Sequence, residues 1–160
     1  MISQPEGEDE WRKSITSNLM EGNTLMCYDN VDRRLKSSTL SRALTSKEWK
    51  DRLLGQNQTV TIPNRSSWMS TGNNLLLGGD VARRSYWIRM DAKQARPWTR
   101  EVFRHENLMA WVQQNRGEIL TNLLVMARAW YATGCPKPKE KIPVIGGFQD
   151  WTQIVGGILA

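Results

Sequence analysis

Residues 67–90 read SWMSTGNNLLLGGDVARRSYWIRM, and the rest of the chain is interpreted from this stretch. Its first part, Ser67 to Thr71, has the composition of a short strand. Gly72 lets the backbone turn sharply after that strand, and Asn73 and Asn74 follow in the turn. An Asn-Asn pair after a strand usually forms a turn and nothing more. A functional interpretation of Asn73 and Asn74 therefore requires other motifs in the chain.

The second part of the stretch carries a pair of arginines. Gly78 to Asp80 is expected to begin a short turn of helix that holds Arg83 and Arg84, after which Ser85 to Met90 resumes as a strand. An arginine pair is usually a solvated helix face. Two amides at a strand end followed by two guanidiniums are nevertheless groups that position water and neutralise charge around a phosphate in transfer.

An upstream segment supplies a carboxylate. Leu25 to Tyr28 is apolar and predicts a buried strand, with Asp29 and Asn30 at its carboxyl end. A buried strand that ends in an acidic residue, a strand that ends in amides and an arginine pair therefore follow one another along the chain. The order of the three is more specific than any one motif alone.

This order resembles the nucleotide-hydrolysis half of P-loop ATPases, specifically the AAA+ and superfamily III helicase type found in primase-helicases of phages and integrated elements. The resemblance covers the chain from Trp11 to its end. In it Asp29, with Asn30 beside it, matches the Walker B motif, which implies that Asp29 holds Mg²⁺ together with ATP. Asn73, or alternatively Asn74, matches the sensor 1 position, which orients the attacking water.

The resemblance also implies partners. Arg83 or Arg84 matches the arginine finger, which reaches the nucleotide of a neighbouring subunit, so a homo-oligomer in the form of a hexameric ring is expected. The implied substrate is DNA, expected to be single-stranded. Superfamily III helicases carry a DNA-contacting hairpin between the Walker B and sensor strands; Arg52 and Arg65 match it by location only, and a solvated arginine is the alternative.

The chain departs from this family at two points. The acidic residue that commonly follows the Walker B aspartate is Asn30 here. More seriously, the sequence contains no Gly-x-x-x-x-Gly-Lys-Ser/Thr, the P-loop whose amides and lysine hold the phosphates. We therefore expect the carboxyl-terminal portion of a longer ATPase, inactive alone. The alternative is a non-catalytic DNA-binding or scaffold module with a decayed ATPase fold.

Charge favours an anionic partner. The 22 Lys and Arg against 16 Asp and Glu leave a net charge of +6, and nucleic acid is the commonest partner of such a chain. The densest basic patch is residues 91–104, where Arg96 and Arg100 are candidates for phosphate contact; an exposed linker is the alternative. Eight tryptophans are expected mostly in the core, with stacking on single-stranded bases open for one or two of them.

Other site classes find little support. Cys27 and Cys135 lack the spacing of a metal site and are expected to be reduced. His105 is the single histidine, which argues against histidine-dependent catalysis. Since no apolar run approaches the ~18 residues that cross a bilayer, the expected location is cytoplasmic, without a membrane partner.

The predicted fold is α/β, with a mainly parallel sheet flanked by helices and a helical carboxyl-terminal part. Residues 1–104 are interpreted as a partial ATPase core and residues 105–160 as a helical segment. The periodicity predicts helices over the following ranges: 9–21, two short ones within 37–54, 106–133 with a break near Arg116-Gly117, and one beginning at Phe148. A further strand is predicted over 58–62, and residues 1–8 are expected to be frayed.

Overall fold

The computed structural model describes residues 1–53, 55–140, 142–143 and 145–159. These residues form a mixed α/β chain, which confirms that part of the prediction. The elements in order are α1 (Glu8–Met20), β1 (Leu25–Tyr28), α2 (Ser38–Thr45), β2 (Glu48–Arg52), β3 (Thr59–Pro63), β4 (Ser67–Ser70), α3 (Leu108–Ala132) and α4 (Gln149–Leu159). Two short 3₁₀ helices, Gly79–Arg84 and Pro97–Thr99, lie between β4 and α3.

The chain divides into two compact units. The first comprises Met1–Ser85 together with Ile145–Gly147, and the second comprises Tyr86–Val144 and Phe148–Ala160.

The first unit contains a parallel pair of strands. β1 and β4 lie side by side in the register Leu25 with Ser67 through Tyr28 with Ser70. On the opposite edge of β1, Ile2 forms a further parallel bridge with Tyr28, because the Ile2 amide donates to the Cys27 carbonyl at 2.8 Å. The prediction that residues 1–8 are frayed is therefore wrong. Backbone pairing with an established strand orders Ile2, and its side chain packs against the core.

An antiparallel hairpin separates β1 from β4 in sequence. β2 and β3 pair from Glu48 with Pro63 to Arg52 with Thr59. The strand predicted over 58–62 is confirmed, and so is the first of the two helices predicted within 37–54, which is α2. The second is wrong, because residues 48–52 are strand; Leu54, where it was expected to end, lies outside the described residues. Pairing with β3 outweighs the local pattern that predicted a helix over these residues.

The core of the first unit lies where α1 and α2 pack with β1 and the hairpin. Its fully buried side chains include Ile15 of α1, Met26 and Tyr28 of β1, and Trp49 of β2. The rings of Trp11 and Tyr28 lie with their centroids 4.7 Å apart. Burying each such side chain contributes roughly 1.5–3 kcal/mol to the stability of the fold. The core therefore holds β1 in place against the two helices.

The strand predicted over Ser85 to Met90 is wrong. Among the described residues none pairs with this segment, whose backbone is irregular, and Ile88 and Met90 are exposed. A strand requires a neighbour for its backbone amides and carbonyls, and residues 85–90 find none among the described residues.

The second unit is built on α3, whose 25 residues run without the predicted break at Arg116-Gly117. Asn107 begins the helix, since its side chain accepts a hydrogen bond from the Ala110 amide at 2.9 Å. α3 contains no buried residue. None of the described helices combines the length and the apolarity that crossing a bilayer requires.

Candidate functional site

The carboxyl ends of β1 and β4 meet because the two strands are parallel and in register. Tyr28 pairs with Ser70, so the next residues, Asp29 and Thr71, are neighbours. The Thr71 hydroxyl donates a hydrogen bond to Asp29 Oδ1 at 2.5 Å, and the Asn30 amide donates to Thr71 Oγ1 at 3.0 Å. Thr71 therefore fixes the orientation of the carboxylate that the sequence singled out.

The two loops beyond the strand ends are in close contact. The Val31 amide donates to the Thr71 carbonyl at 2.8 Å. A Cβ at Gly72 would lie 2.4 Å from the Val31 carbonyl oxygen, so only glycine fits at this approach. Asn30 has a φ of 53°, a left-handed conformation that asparagine tolerates better than most residues.

Asn73 and Asn74 lie in the turn directly after Thr71 and Gly72, and both are exposed. Asn74 also adopts a left-handed conformation, with a φ of 51°. The structure therefore brings together the segments that carry Asp29 and the two asparagines. Their assignment as Walker B and sensor 1 residues stays a prediction.

The two arginines differ in how they are held. The Arg84 side chain is only 16% exposed, and its guanidinium donates to the Ser41 carbonyl of α2. The Arg83 side chain is 62% exposed and pairs with Asp80 at 2.9 Å. Arg84 also approaches Asp80, at 3.4 Å. Arg84 is thus fixed against α2, whereas Arg83 is the more accessible candidate for a finger.

The hairpin arginines lie at opposite ends of the hairpin. Arg52, the last residue of β2, donates to the Asn57 side chain at 2.7 Å and so closes the β2–β3 turn. Arg65 lies just after β3 and is exposed. Lys50 is also exposed. It lies on the same face of β2 as Arg52, because alternate residues of a strand share a face.

A polar network attaches the hairpin to α1. Arg12 and Thr16 of α1 both donate to the Asp51 carboxylate, at 2.8 and 2.5 Å, and the Trp49 indole donates to Thr16 Oγ1 at 2.8 Å. Burial opposes the ionisation of Asp51, but the hydrogen bonds from Thr16 and Arg12 outweigh it and lower the pKa of Asp51. The Arg42 guanidinium lies over the Trp49 ring, 4.0 Å from its centroid. Sequence reasoning missed this network.

Asp29 also lines a cleft of about 400 Å³ with Asp32, Arg33 and the first four residues. Within the described residues no group of three or more His, Cys, Asp and Glu side chains forms a metal site. Mg²⁺ commonly takes one or two carboxylates together with substrate phosphates, so Asp29 fits a metal shared with a nucleotide. The phosphate-holding half of such a site does not fit, since the chain has no P-loop.

The remaining candidates, Arg96 and Arg100, belong to the second unit. Arg100 Nε donates to the Val102 carbonyl at 3.0 Å, and its guanidinium lies 5.3 Å from the Phe103 ring centroid. Arg96 precedes the 3₁₀ helix Pro97–Thr99 and is exposed.

Comparison of the chain with protein-family models, curated proteins and solved structures gave no match.

Proposed function

We propose that this chain is the carboxyl-terminal part of an ATP-driven DNA helicase motor, to which it contributes the acidic, amide and arginine groups of the hydrolysis site. The observation that carries the proposal is the parallel register of β1 and β4, which sets Asp29 beside the Thr71 loop. Ligands of open α/β sheets bind at the carboxyl ends of the strands, where these groups lie.

The hairpin adds a second line of support. β2 and β3 are inserted between the two parallel strands in sequence, which is where the resembling helicases carry their DNA-contacting hairpin. Lys50 and Arg65 of this segment are exposed and suited to phosphate contact. The Asp51 network with α1 gives the hairpin a rigid attachment.

Each group has a role in this proposal. Asp29, oriented by Thr71, provides the negative charge that attracts the metal ion. Asn73 positions the water that attacks the terminal phosphate, and Arg83 neutralises charge that develops on the phosphate of an adjacent subunit. ATP with Mg²⁺ would supply the free energy for movement along DNA; Asp29 would hold the metal ion, and the phosphates would need a P-loop, which this sequence does not contain.

The first test is the coding sequence upstream of Met1. An in-frame Gly-x-x-x-x-Gly-Lys-Ser/Thr is expected there, followed by a strand and helix signal. A start signal with no such motif before it would contradict the proposal.

The second test uses the protein that contains the P-loop. Arg83→Ala should lower the steady-state ATPase rate on the order of 10³-fold, since a finger arginine is worth at least this much. Mixing Arg83→Ala with Asp29→Ala should restore part of the rate, because each subunit then supplies what the other lacks. Arg128→Ala, which removes an exposed arginine of α3, is the matched control. A wild-type rate for Arg83→Ala would rule out Arg83 as the finger, and a wild-type rate for Arg84→Ala as well would rule out the finger assignment.

The contacts that Asp29, Arg83 and Arg84 make within the chain favour a second candidate function, a non-catalytic DNA-binding or scaffold module. Asp29 already accepts from Thr71, and Arg83 and Arg84 share Asp80. Candidate groups with partners inside the chain fit a non-catalytic DNA-binding or scaffold module. Such a module would bind DNA with full affinity when Asp29 and Arg83 are both replaced by Ala, and it would show no ATPase activity in any longer form.

A further inference from the structure

Residues 86–104 expose aromatic rings, although most of the eight tryptophans of the chain were expected in the core. Trp98 is 79% exposed, and Tyr86, Trp87 and Phe103 are each more than half exposed. Trp11 and Trp49, by contrast, are buried in the first unit. Water-exposed aromatic surface on this scale is uncommon unless a ligand or partner covers it.

The same residues carry cations that make no ion pair with any carboxylate of the described residues. The segment contains five cations and two carboxylates, which leave a net charge of +3; the cations are Arg89, Lys93, Arg96, Arg100 and Arg104. Among the described residues no carboxylate lies within ion-pair distance of any of the five. Arginines of the first unit such as Arg12, Arg33 and Arg83 do have such partners. The segment therefore presents unneutralised positive charge.

The backbone of the segment is irregular apart from Pro97–Thr99. Connections longer than about 12–15 residues without regular structure are uncommon in compact domains and are usually functional or disordered. Irregular backbone is also unsuited to the major groove of a duplex, which is read by a helix or a two-stranded ribbon.

We propose that residues 86–104 form a binding strip for single-stranded nucleic acid, on which exposed aromatic rings stack with bases and the unpaired cations neutralise phosphates. This combination of a cationic track with aromatic platforms is the general mode of single-strand binding. The inference rests on the proposed function, to which it adds a DNA-contacting surface outside the hairpin.

The exposed rings and cations suit single-stranded nucleic acid better than a duplex or a protein partner. Bases within a duplex are already stacked on both faces, so aromatic rings have access only to unpaired bases. A protein partner would have to bury the five cations, and the cores of protein interfaces are depleted in charged residues. Trp98 lies between Arg96 and Arg100 in sequence, so a ring that can stack with a base lies between two cations that can contact phosphates.

Fluorescence anisotropy of the full chain with a labelled oligo-dT tests the stacking. Trp98→Ala should weaken binding at least ~5-fold, the lower range for loss of one base–aromatic stack, whereas Trp98→Phe should retain most of the affinity. Tyr131→Ala is the matched control, because Tyr131 is 71% exposed but lies on α3. Circular dichroism spectra that match the wild type establish that the variants are folded.

The salt dependence of the same binding tests the charge. The double variant Arg96→Gln with Arg100→Gln should reduce the slope of log K against log salt by ~0.7 for each phosphate that the protein no longer neutralises. Arg128→Gln should leave the slope unchanged. An unchanged slope for the double variant would overturn the proposed cationic track.

The outcomes separate this inference from the helicase proposal. If Trp98→Ala binds oligo-dT like the wild type while Lys50→Gln with Arg65→Gln weakens binding, the strip is wrong and the hairpin stands. If a duplex of equal length binds as tightly as oligo-dT, stacking is wrong. If Trp98→Ala changes the oligomeric state and not the affinity, the strip is a protein interface. Absence of oligo-dT binding by the wild type overturns the strip and leaves the ATPase test untouched.

Discussion

Glu8 shows how one side chain ties two helices together. Its carboxylate lies at the start of α2, where it accepts hydrogen bonds from the amides of Ser38 at 3.0 Å and Thr39 at 2.9 Å. The Ser37 and Ser38 hydroxyls also donate to it. Partial burial opposes its ionisation, but the hydrogen bonds from Thr39 and Ser38 outweigh it and lower the pKa of Glu8 from 4.5 to about 2.

This shift predicts a pH dependence of stability. Because the folded pKa is depressed, the contribution of Glu8 is fully present above pH 4.5 and is lost as the pH falls toward 2. Since Glu8 is exposed, solvent screening limits the contribution to about 1 kcal/mol. The free energy of unfolding, measured with urea, should therefore fall more between pH 6 and pH 3 for the wild type than for Glu8→Gln.

Glu10→Gln, on the same helix, is the control for Glu8 and should follow the wild type. Equal losses for the wild type and Glu8→Gln would show that the carboxylate does not stabilise α2.

At the scale of elements, the hairpin depends on the Asp51 network. Asp51→Ala removes the carboxylate that Arg12 and Thr16 share as an acceptor and should lower the free energy of unfolding by about 1–3 kcal/mol. Chemical denaturation followed by tryptophan fluorescence measures the change. Glu48→Ala, on the exposed face of the same strand, should change stability by no more than ~0.5 kcal/mol. Equal effects of the two substitutions would contradict the network.

The sequence predicted most elements of the first unit but not β2. The apolar stripe of α1 and the alternation of β3 are local signals, and both were interpreted correctly. The partner of Trp49 and Asp51 is Thr16, more than 30 residues away in sequence. Local sequence patterns cannot report such a contact, so a helix was predicted where a strand forms.

The candidate site was predictable to a similar extent. The neighbouring strand ends of β1 and β4 were expected from the family resemblance, whereas the bond between Thr71 and Asp29 depends on register, which no sequence pattern supplied. The pairing of Asp80 with Arg83 and Arg84 has a spacing of three and four residues, a signal that was present and not used. The eight tryptophans were expected mostly in the core, and the exposure of Trp98 was not singled out, because the residue type indicates an apolar ring but not whether another part of the molecule covers it.

At the scale of the whole molecule, the two units differ in how much they bury. The first has a buried core, whereas α3 has no buried residue. Amide hydrogens of α3 should therefore exchange faster than those of α1 around Trp11 to Leu19, because local opening of α3 exposes less buried apolar surface to water. Hydrogen–deuterium exchange with mass spectrometry measures this difference. Equal protection of the two helices would show that another surface covers α3.

The long sequence separation between the parallel strands has a consequence for the nascent chain. Asp29 and Thr71 are 42 positions apart, whereas the hairpin closes over a short turn. At a synthesis rate of about 5–20 residues per second, β1 emerges from the ribosome ~2–8 s before β4 does. A hairpin forms within about 1–10 μs, so β2 and β3 can pair as soon as they emerge. During that wait the apolar side chains of β1 are available to chaperones and to other unfinished chains.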